Sequence, residues 1–206
     1  MASDFDNPYG FSMEPVHLDS LYMAPENRLL ASHALPPVTL VLVGVLSGKS
    51  NFAERLIPKG ARPVYLATGE AIDDEMRHRI HVHQRRRGEH WSLREEPLDI
   101  VPALRELDGG REPVLVDSLG MWLNNLIYRE RNVDESVGEL VDLLATIDGP
   151  VVLVSEEVGL GLVPENRLAR QYRDRIGILN QRVALVARQV IFVAAGLPLL
   201  LKGYQK

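Results

Sequence analysis

Cysteine is missing from the 206-residue chain, and with it go disulfides, thiolate zinc sites, iron–sulfur clusters and thiol nucleophiles. That absence suits a reducing cytoplasm. Long apolar runs are missing too: the stretches at 38–46 and 190–201 fall short of the ~18 consecutive apolar residues of a membrane span. The opening residues, MASDFDNPYGF, hold two Asp and no Lys or Arg, so they lack the basic start of a secretory signal. Basic residues are in deficit throughout, 23 against 28 acids for a net charge of −5. The overall field therefore draws the chain to neither nucleic acid nor anionic lipid. Any anion site has to be built locally.

The remaining composition, 46% hydrophobic and 25% charged, excludes a wholly disordered or collagen-like chain. The length exceeds the ~150 residues of a typical domain only modestly, and such a chain buries roughly two thirds to three quarters of its unfolded surface without staples. Residues 1–36 lack sustained periodicity and run out at Leu35-Pro36-Pro37. They read as an extension, mobile or draped on the surface, in which Pro25 suits the first turn of a short helix over 24–34. Residues 37–206 read as the domain.

Within it, short β-branched runs alternate with amphipathic stretches. VTLVLV (38–43), PVYLAT (63–68), PVLVDS (113–118), PVVLVS (150–155) and QVIFVAA (189–195) have the length and apolarity of strands buried on both faces. Helical patterns are expected at 50–57, 71–87, 98–107, 119–130, 134–147 and 165–188, and a last strand, LPLLLK (197–202), pairs after a turn at Gly196. The alternation predicts an α/β fold with a mostly parallel sheet covered on both faces.

The first strand runs into Gly44-Val45-Leu46-Ser47-Gly48-Lys49-Ser50, and a helical pattern, NFAERLI, follows. Strand, glycine-bearing loop and helix start form the order a phosphate-binding loop needs, with loop amides around the phosphate oxygens and the helix N-terminus adding partial positive charge. Lys49 would meet the β- and γ-phosphates and the Ser50 hydroxyl would ligate Mg²⁺. The match to G-x-x-x-x-G-K-[ST] is incomplete, because Val43 stands at the first Gly position with Gly44 beside it. The competing reading is a chance GKS tripeptide at a helix start.

Four of the six His, His78, His81, His83 and His90, fall within thirteen residues, among Arg77, Arg79, Arg85, Arg86 and Arg87. In an acidic protein such a concentration marks an anion site, since guanidinium pairs bidentately with phosphate; the alternative is a solvated basic helix face. Zinc is disfavoured because no HExxH occurs and Cys partners are lacking. A nucleophilic role remains: neutral imidazole attacks phosphorus and later leaves, splitting one hard transfer into two easier ones. Asp117, near the end of the strand at 113–118, reads either as a carboxylate for Mg²⁺ or as the cap of the following helix. The pairs Glu95-Glu96 and Glu156-Glu157 at strand ends read as solvated loops. Asp73, Asp74 and Glu75 complement a helix dipole.

Taken in order, GVLSGKSNFAE, LATGEAIDDEMRHRIHVHQRRRGEHW, EEPLDI, VLVDSLGMWLNNLI and VGLGLVPENRLARQYRDRIGILNQRVA closely resemble the bifunctional adenosylcobinamide kinase / adenosylcobinamide-phosphate guanylyltransferase family of cobalamin biosynthesis. The similarity covers about 38–202. GKS is shared with many P-loop proteins, whereas DDEMxxRIxxH and VPENRLAR followed by NQR are specific. The resemblance implies a RecA-like P-loop domain, commonly a homotrimer. Such enzymes phosphorylate adenosylcobinamide with ATP or GTP, then transfer GMP from GTP to that phosphate through a guanylated histidine. It places the nucleophile on His83, with His81 the second choice. It maps nucleotide contacts onto Gly44, Val45, Leu46, Ser47, Gly48, Lys49 and Ser50, onto Thr68, Gly69 and Glu70, onto Gln84, Arg85, Arg86 and Arg87, and onto Glu95 and Asp117.

Three positions depart from the family pattern. Val43 replaces the first Gly of Gly-Gly-Ala-Arg, Leu46 replaces its Arg, and Glu156 stands where Ser-Asn-Glu-Val-Gly has Asn. Val resists positive φ, the lost Arg removes a phosphate contact, and Glu156 adds negative charge near the expected nucleotide. These features favour a rival reading, a regulatory P-loop module that binds nucleotide without transfer chemistry.

Overall fold

The structure, a computed structural model, describes residues 35–44, 49–70, 90–108 and 112–203, with the backbone alone at 49–51. The expected helices at 24–34 and 71–87 lie outside the described residues. Among the described residues twelve elements follow one another: β1 (Val38–Val43), α1 (Lys49–Leu56), β2 (Val64–Ala67), β3 (Ser92–Glu95), α2 (Ile100–Leu107), β4 (Val114–Asp117), α3 (Leu119–Tyr128), α4 (Val133–Leu144), β5 (Val151–Glu156), α5 (Arg167–Val186), β6 (Gln189–Ala194) and β7 (Leu197–Lys202).

All six residues of β1 are buried, as parallel strands covered on both faces require. Alternate side chains serve two cores. Val38, Leu40 and Leu42 pack with Leu104 of α2, Trp122 and Leu126 of α3, Leu140 of α4 and Leu179 of α5. Val41 and Val43 pack on the other face with Phe52, Ala53 and Ile57, together with Tyr65, Leu115 and Val154. Among the described residues α1 covers one face and α2 to α5 the other, the layered α/β P-loop architecture expected from the sequence.

The sheet runs β3-β2-β4-β5-β1-β6-β7, parallel throughout except for the antiparallel β6–β7 hairpin. Ala195 and Gly196 make its turn, both at positive φ (52° and 78°), the backbone a two-residue hairpin demands. The chain leaves β1 toward β2 on one side and leaves β5 toward β6 on the other. Paths thus diverge at the carboxyl ends of β1 and β5, where open α/β sheets bind ligands.

β3 was not expected. SLRE is short and mostly exposed, without an apolar run, yet it pairs parallel with β2 and places Glu95 opposite Ala67. Glu95 therefore ends a strand rather than lying in a loop. Helix ends shift by a few residues: Asn132 and Asn166 accept bonds from the first turns of α4 and α5, which fixes those starts. The reversal at Glu130, φ 53°, follows the end of α3 two residues before 130.

Candidate active site

The carboxyl ends of five parallel strands bring the chemistry to one edge. Pairing sets Ala67 opposite both Glu95 and Asp117, Asp117 opposite Val154, and Val43 opposite Glu156. The Glu157 amide donates to the Val43 carbonyl at 2.7 Å, fastening the exit of β5 to that of β1 immediately before Gly44. Lys49 and Ser50 then open α1. β1, Gly44 and α1 stand in the order the phosphate-loop reading requires. Val45, Leu46, Ser47, Gly48, His81, His83, Gln84, Arg85, Arg86 and Arg87 lie outside the described residues, as do the side chains of Lys49 and Ser50.

Asp117 does not cap α3. Its Oδ2 accepts a 2.7 Å hydrogen bond from the Tyr65 hydroxyl, and the cap is Ser118, whose Oγ accepts from the Met121 amide at 3.3 Å. The Asp117–Ser118 peptide is cis. Buried Thr68 ties this corner to β2: its Oγ1 donates to the Ser118 carbonyl at 2.7 Å and accepts from the Ser118 amide at 2.8 Å. Behind them buried Asn125 donates to the carbonyls of Thr68 (2.8 Å) and Pro97 (3.0 Å). One amide of α3 thereby fixes the chain just beyond β2 and just beyond β3. Gly69 follows Thr68, and Glu70 receives a bidentate ion pair from Arg129, both distances 3.0 Å. Glu95 is exposed, while Glu96 accepts from the Asp99 amide at 3.0 Å, so this pair is more than a solvated loop.

Glu156 is engaged as well. Ser118 Oγ donates to its carboxylate, with Oε1 at 2.9 Å and Oε2 at 3.2 Å, and its carbonyl accepts from Asn180 Nδ2 at 3.0 Å. Asn180 also accepts from Ser155 Oγ at 2.6 Å. The carboxylate lies against the first turn of α3, where the helix dipole favours negative charge. Burial first, then the Glu156 charge, push the Tyr172 hydroxyl above the ordinary phenol range, so that it stays protonated. A β-carbon at Gly120 would overlap Glu156 Oε2 and come within 2.7 Å of the Tyr172 hydroxyl oxygen.

Gly120→Ala is accordingly expected to destabilise by about 1–3 kcal/mol in urea unfolding, because the carboxylate must leave Ser118. Glycine to alanine in a helix ordinarily stabilises by roughly 1 kcal/mol, so the sign itself is the test. In a Glu156→Ala background the substitution should become neutral or stabilising; equal destabilisation in both backgrounds contradicts the packing described.

No group of three or more His, Asp or Glu suited to a metal occurs among the described residues. The donors expected for Mg²⁺, the Asp117 carboxylate and the Ser50 hydroxyl, still fit that ion, which takes one or two protein oxygens and fills its shell with water and phosphate. Sequence reading did not single out Tyr65, Ser118, Gly120, Asn125 or Tyr172. A glycine in the second position of a helix was their one local trace.

A parallel sheet whose first strand leads through Gly44 to α1 at the switch point, with a carboxylate ending the next strand but one, has the layout of the P-loop class of α/β proteins. The flagellar accessory protein FlaH from Methanocaldococcus jannaschii shares this fold, with a TM-score of 0.50 at 14% identity over 89% of this chain and 90% of that one. Residues 39–201 match the family model of cobinamide kinase / cobinamide phosphate guanyltransferase, and the chain belongs to that family. It is 44% identical to the bifunctional adenosylcobalamin biosynthesis protein CobP of Pseudomonas aeruginosa, over 80% of this chain and 96% of that protein. It is 33% identical to the bifunctional adenosylcobalamin biosynthesis protein CobU of Escherichia coli K12, over 79% and 98%.

Proposed function

We propose that the protein phosphorylates adenosylcobinamide with ATP or GTP and then converts the phosphate to adenosylcobinamide-GDP with GTP. The observation that carries this reading is family membership over 39–201 on a sheet whose strand ends gather Gly44, Thr68, Glu95, Asp117 and Glu156 at one edge. The loop 44–50 and Lys49 cradle the triphosphate, and Ser50 with Asp117 would hold Mg²⁺, which neutralises phosphate charge when bound. Thr68, Gly69 and Glu70 border the nucleotide from β2, with Glu95 beyond them.

In the first reaction the substrate hydroxyl attacks the γ-phosphorus in line, the nucleoside diphosphate leaves, and catalysis is mainly positioning. In the second, His83 attacks the α-phosphorus of GTP: a P–N bond forms, the α–β P–O bond breaks, and pyrophosphate leaves. An oxygen of the substrate phosphate then attacks the same phosphorus, the P–N bond breaks, and His83 is restored. Arg85, Arg86 and Arg87 follow it in sequence to neutralise phosphate charge, with Gln84 a further nucleotide contact. The family resemblance supports a homotrimer, and the composition is that expected of a cytoplasmic protein.

Against a module without turnover stands the placement of Glu156, whose carboxylate is held by Ser118 at the start of α3. An intact-protein mass spectrum after incubation with GTP and Mg²⁺ tests the reading. A covalent GMP adduct that disappears on adding adenosylcobinamide phosphate is the expected result; nucleotide binding without adduct or product returns the protein to the regulatory alternative.

A further inference from the structure

Between β5 and α5 the chain makes an excursion over 157–166 that exposes apolar side chains. Leu160, Leu162 and Val163 are 81%, 96% and 64% exposed, and Leu168 in the first turn of α5 is 58% exposed. Hydrogen bonds hold the backbone that presents them. The Gly159 amide donates to Glu157 Oε1 at 2.7 Å, Arg170 Nη1 donates to the carbonyls of Pro164 and Glu165, and Asn166 Oδ1 accepts from the amides of Leu168 and Ala169. Apolar surface shown this openly on a tethered loop marks a contact site.

Its position narrows the ligand. The loop leaves the sheet at Glu156, opposite Val43, so it rises from the same strand pair as the phosphate loop. The flank beyond β2 and β3 ends instead in Glu70, Glu95 and Glu96, with Arg129 paired to Glu70. Resting on the cobinamide reading above, we propose that Leu160, Leu162 and Val163, with Leu168, form the docking surface for the corrin macrocycle of the acceptor. The triphosphate is a polyanion held by amides and cations and needs no apolar shelf, and a single base asks for a narrow slot rather than four aliphatic side chains spread over a loop and a helix start. The acceptor is a broad ring with apolar faces that carries its reacting hydroxyl on a side arm. Bringing that hydroxyl to the γ-phosphate leaves the ring outside the carboxyl edge, within an arm's length of the β1–β5 pair. The amides of Leu160 and Gly161 and the carbonyls of the Gly159–Gly161 turn offer partners to the peripheral amides of the ring.

Kinase kinetics of Leu162→Ser and of the double variant Leu160→Ser, Leu162→Ser test this, alongside GMP loading from GTP and solution mass. Each leucine is expected to raise KM for adenosylcobinamide about tenfold, the effect of withdrawing one buried aliphatic side chain. KM for the nucleotide, GMP loading and mass stay at wild-type values, and Leu162→Met behaves as wild type. An unchanged KM for adenosylcobinamide in the double variant overturns the proposal. So does a rise accompanied by dissociation and lost GMP loading, which assigns the loop to contact between copies. A wild type that loads GMP but never turns over adenosylcobinamide overturns the acceptor reading itself, and the docking surface with it.

Discussion

His83→Ala is expected to take up no label from GTP labelled at the α-phosphate and to lose guanylyl transfer by about a thousandfold or more, ~4 kcal/mol of transition-state stabilisation. Phosphorylation of adenosylcobinamide should stay within a few-fold of wild type. The split follows from the two chemistries. Kinase transfer relies on the phosphate cradle and in-line positioning and asks nothing of an imidazole. Guanylyl transfer joins two anions, a substrate phosphate and a nucleotide phosphate, and a neutral nucleophile that becomes a good leaving group on protonation divides that barrier. Label on the wild type should be acid-labile and base-stable, as a phosphoramidate is. His81→Ala, two residues away in the same RIHVH segment, is the comparison: it should keep its label. Equal labelling of His83→Ala and wild type removes His83 from the mechanism, and loss in His81→Ala alone moves the nucleophile to that ring.

Where burial is two-sided and local, the chain announced its fold. β1 and β5 are continuous apolar runs because helices cover both faces, and the turn at Gly196 was legible because a two-residue hairpin restricts its residues. SLRE gave no such signal, since an exposed edge strand needs only backbone partners, here supplied by β2. At the site, the succession of β1, Gly44 and α1 and the place of Asp117 were legible because each sits at the end of an apolar run. Partners set by strand order were not. Ser118 meets Glu156 across 38 residues and Tyr65 meets Asp117 across 52, because β4 lies between β2 and β5. Glu156 was read as surplus charge; its carboxylate proves to be a structural acceptor for the cap of α3, a role visible only once β4 and β5 are neighbours.

Asp117→Asn is expected to slow both reactions roughly a hundredfold, ~3 kcal/mol, and to raise the Mg²⁺ concentration giving half-maximal rate. The substitution isolates charge from shape. An asparagine carbonyl can still accept from the Tyr65 hydroxyl, now 2.7 Å from Oδ2, so the end of β4 stays tied to β2 and thermal stability should change little. Tyr65→Phe makes the complementary change, leaving the carboxylate but removing the hydroxyl that donates to Oδ2. Because Tyr65 is buried in the core beside Trp91, its ring still packs, and the change withdraws the hydroxyl's hydrogen bond to a charged acceptor, worth about 1.5–3 kcal/mol. If Asp117 serves as an oxygen donor to the cation, the Mg²⁺ requirement moves strongly in Asp117→Asn and weakly in Tyr65→Phe. A purely architectural carboxylate predicts the reverse: rates that track stability in both variants, with no change in the Mg²⁺ titration of either.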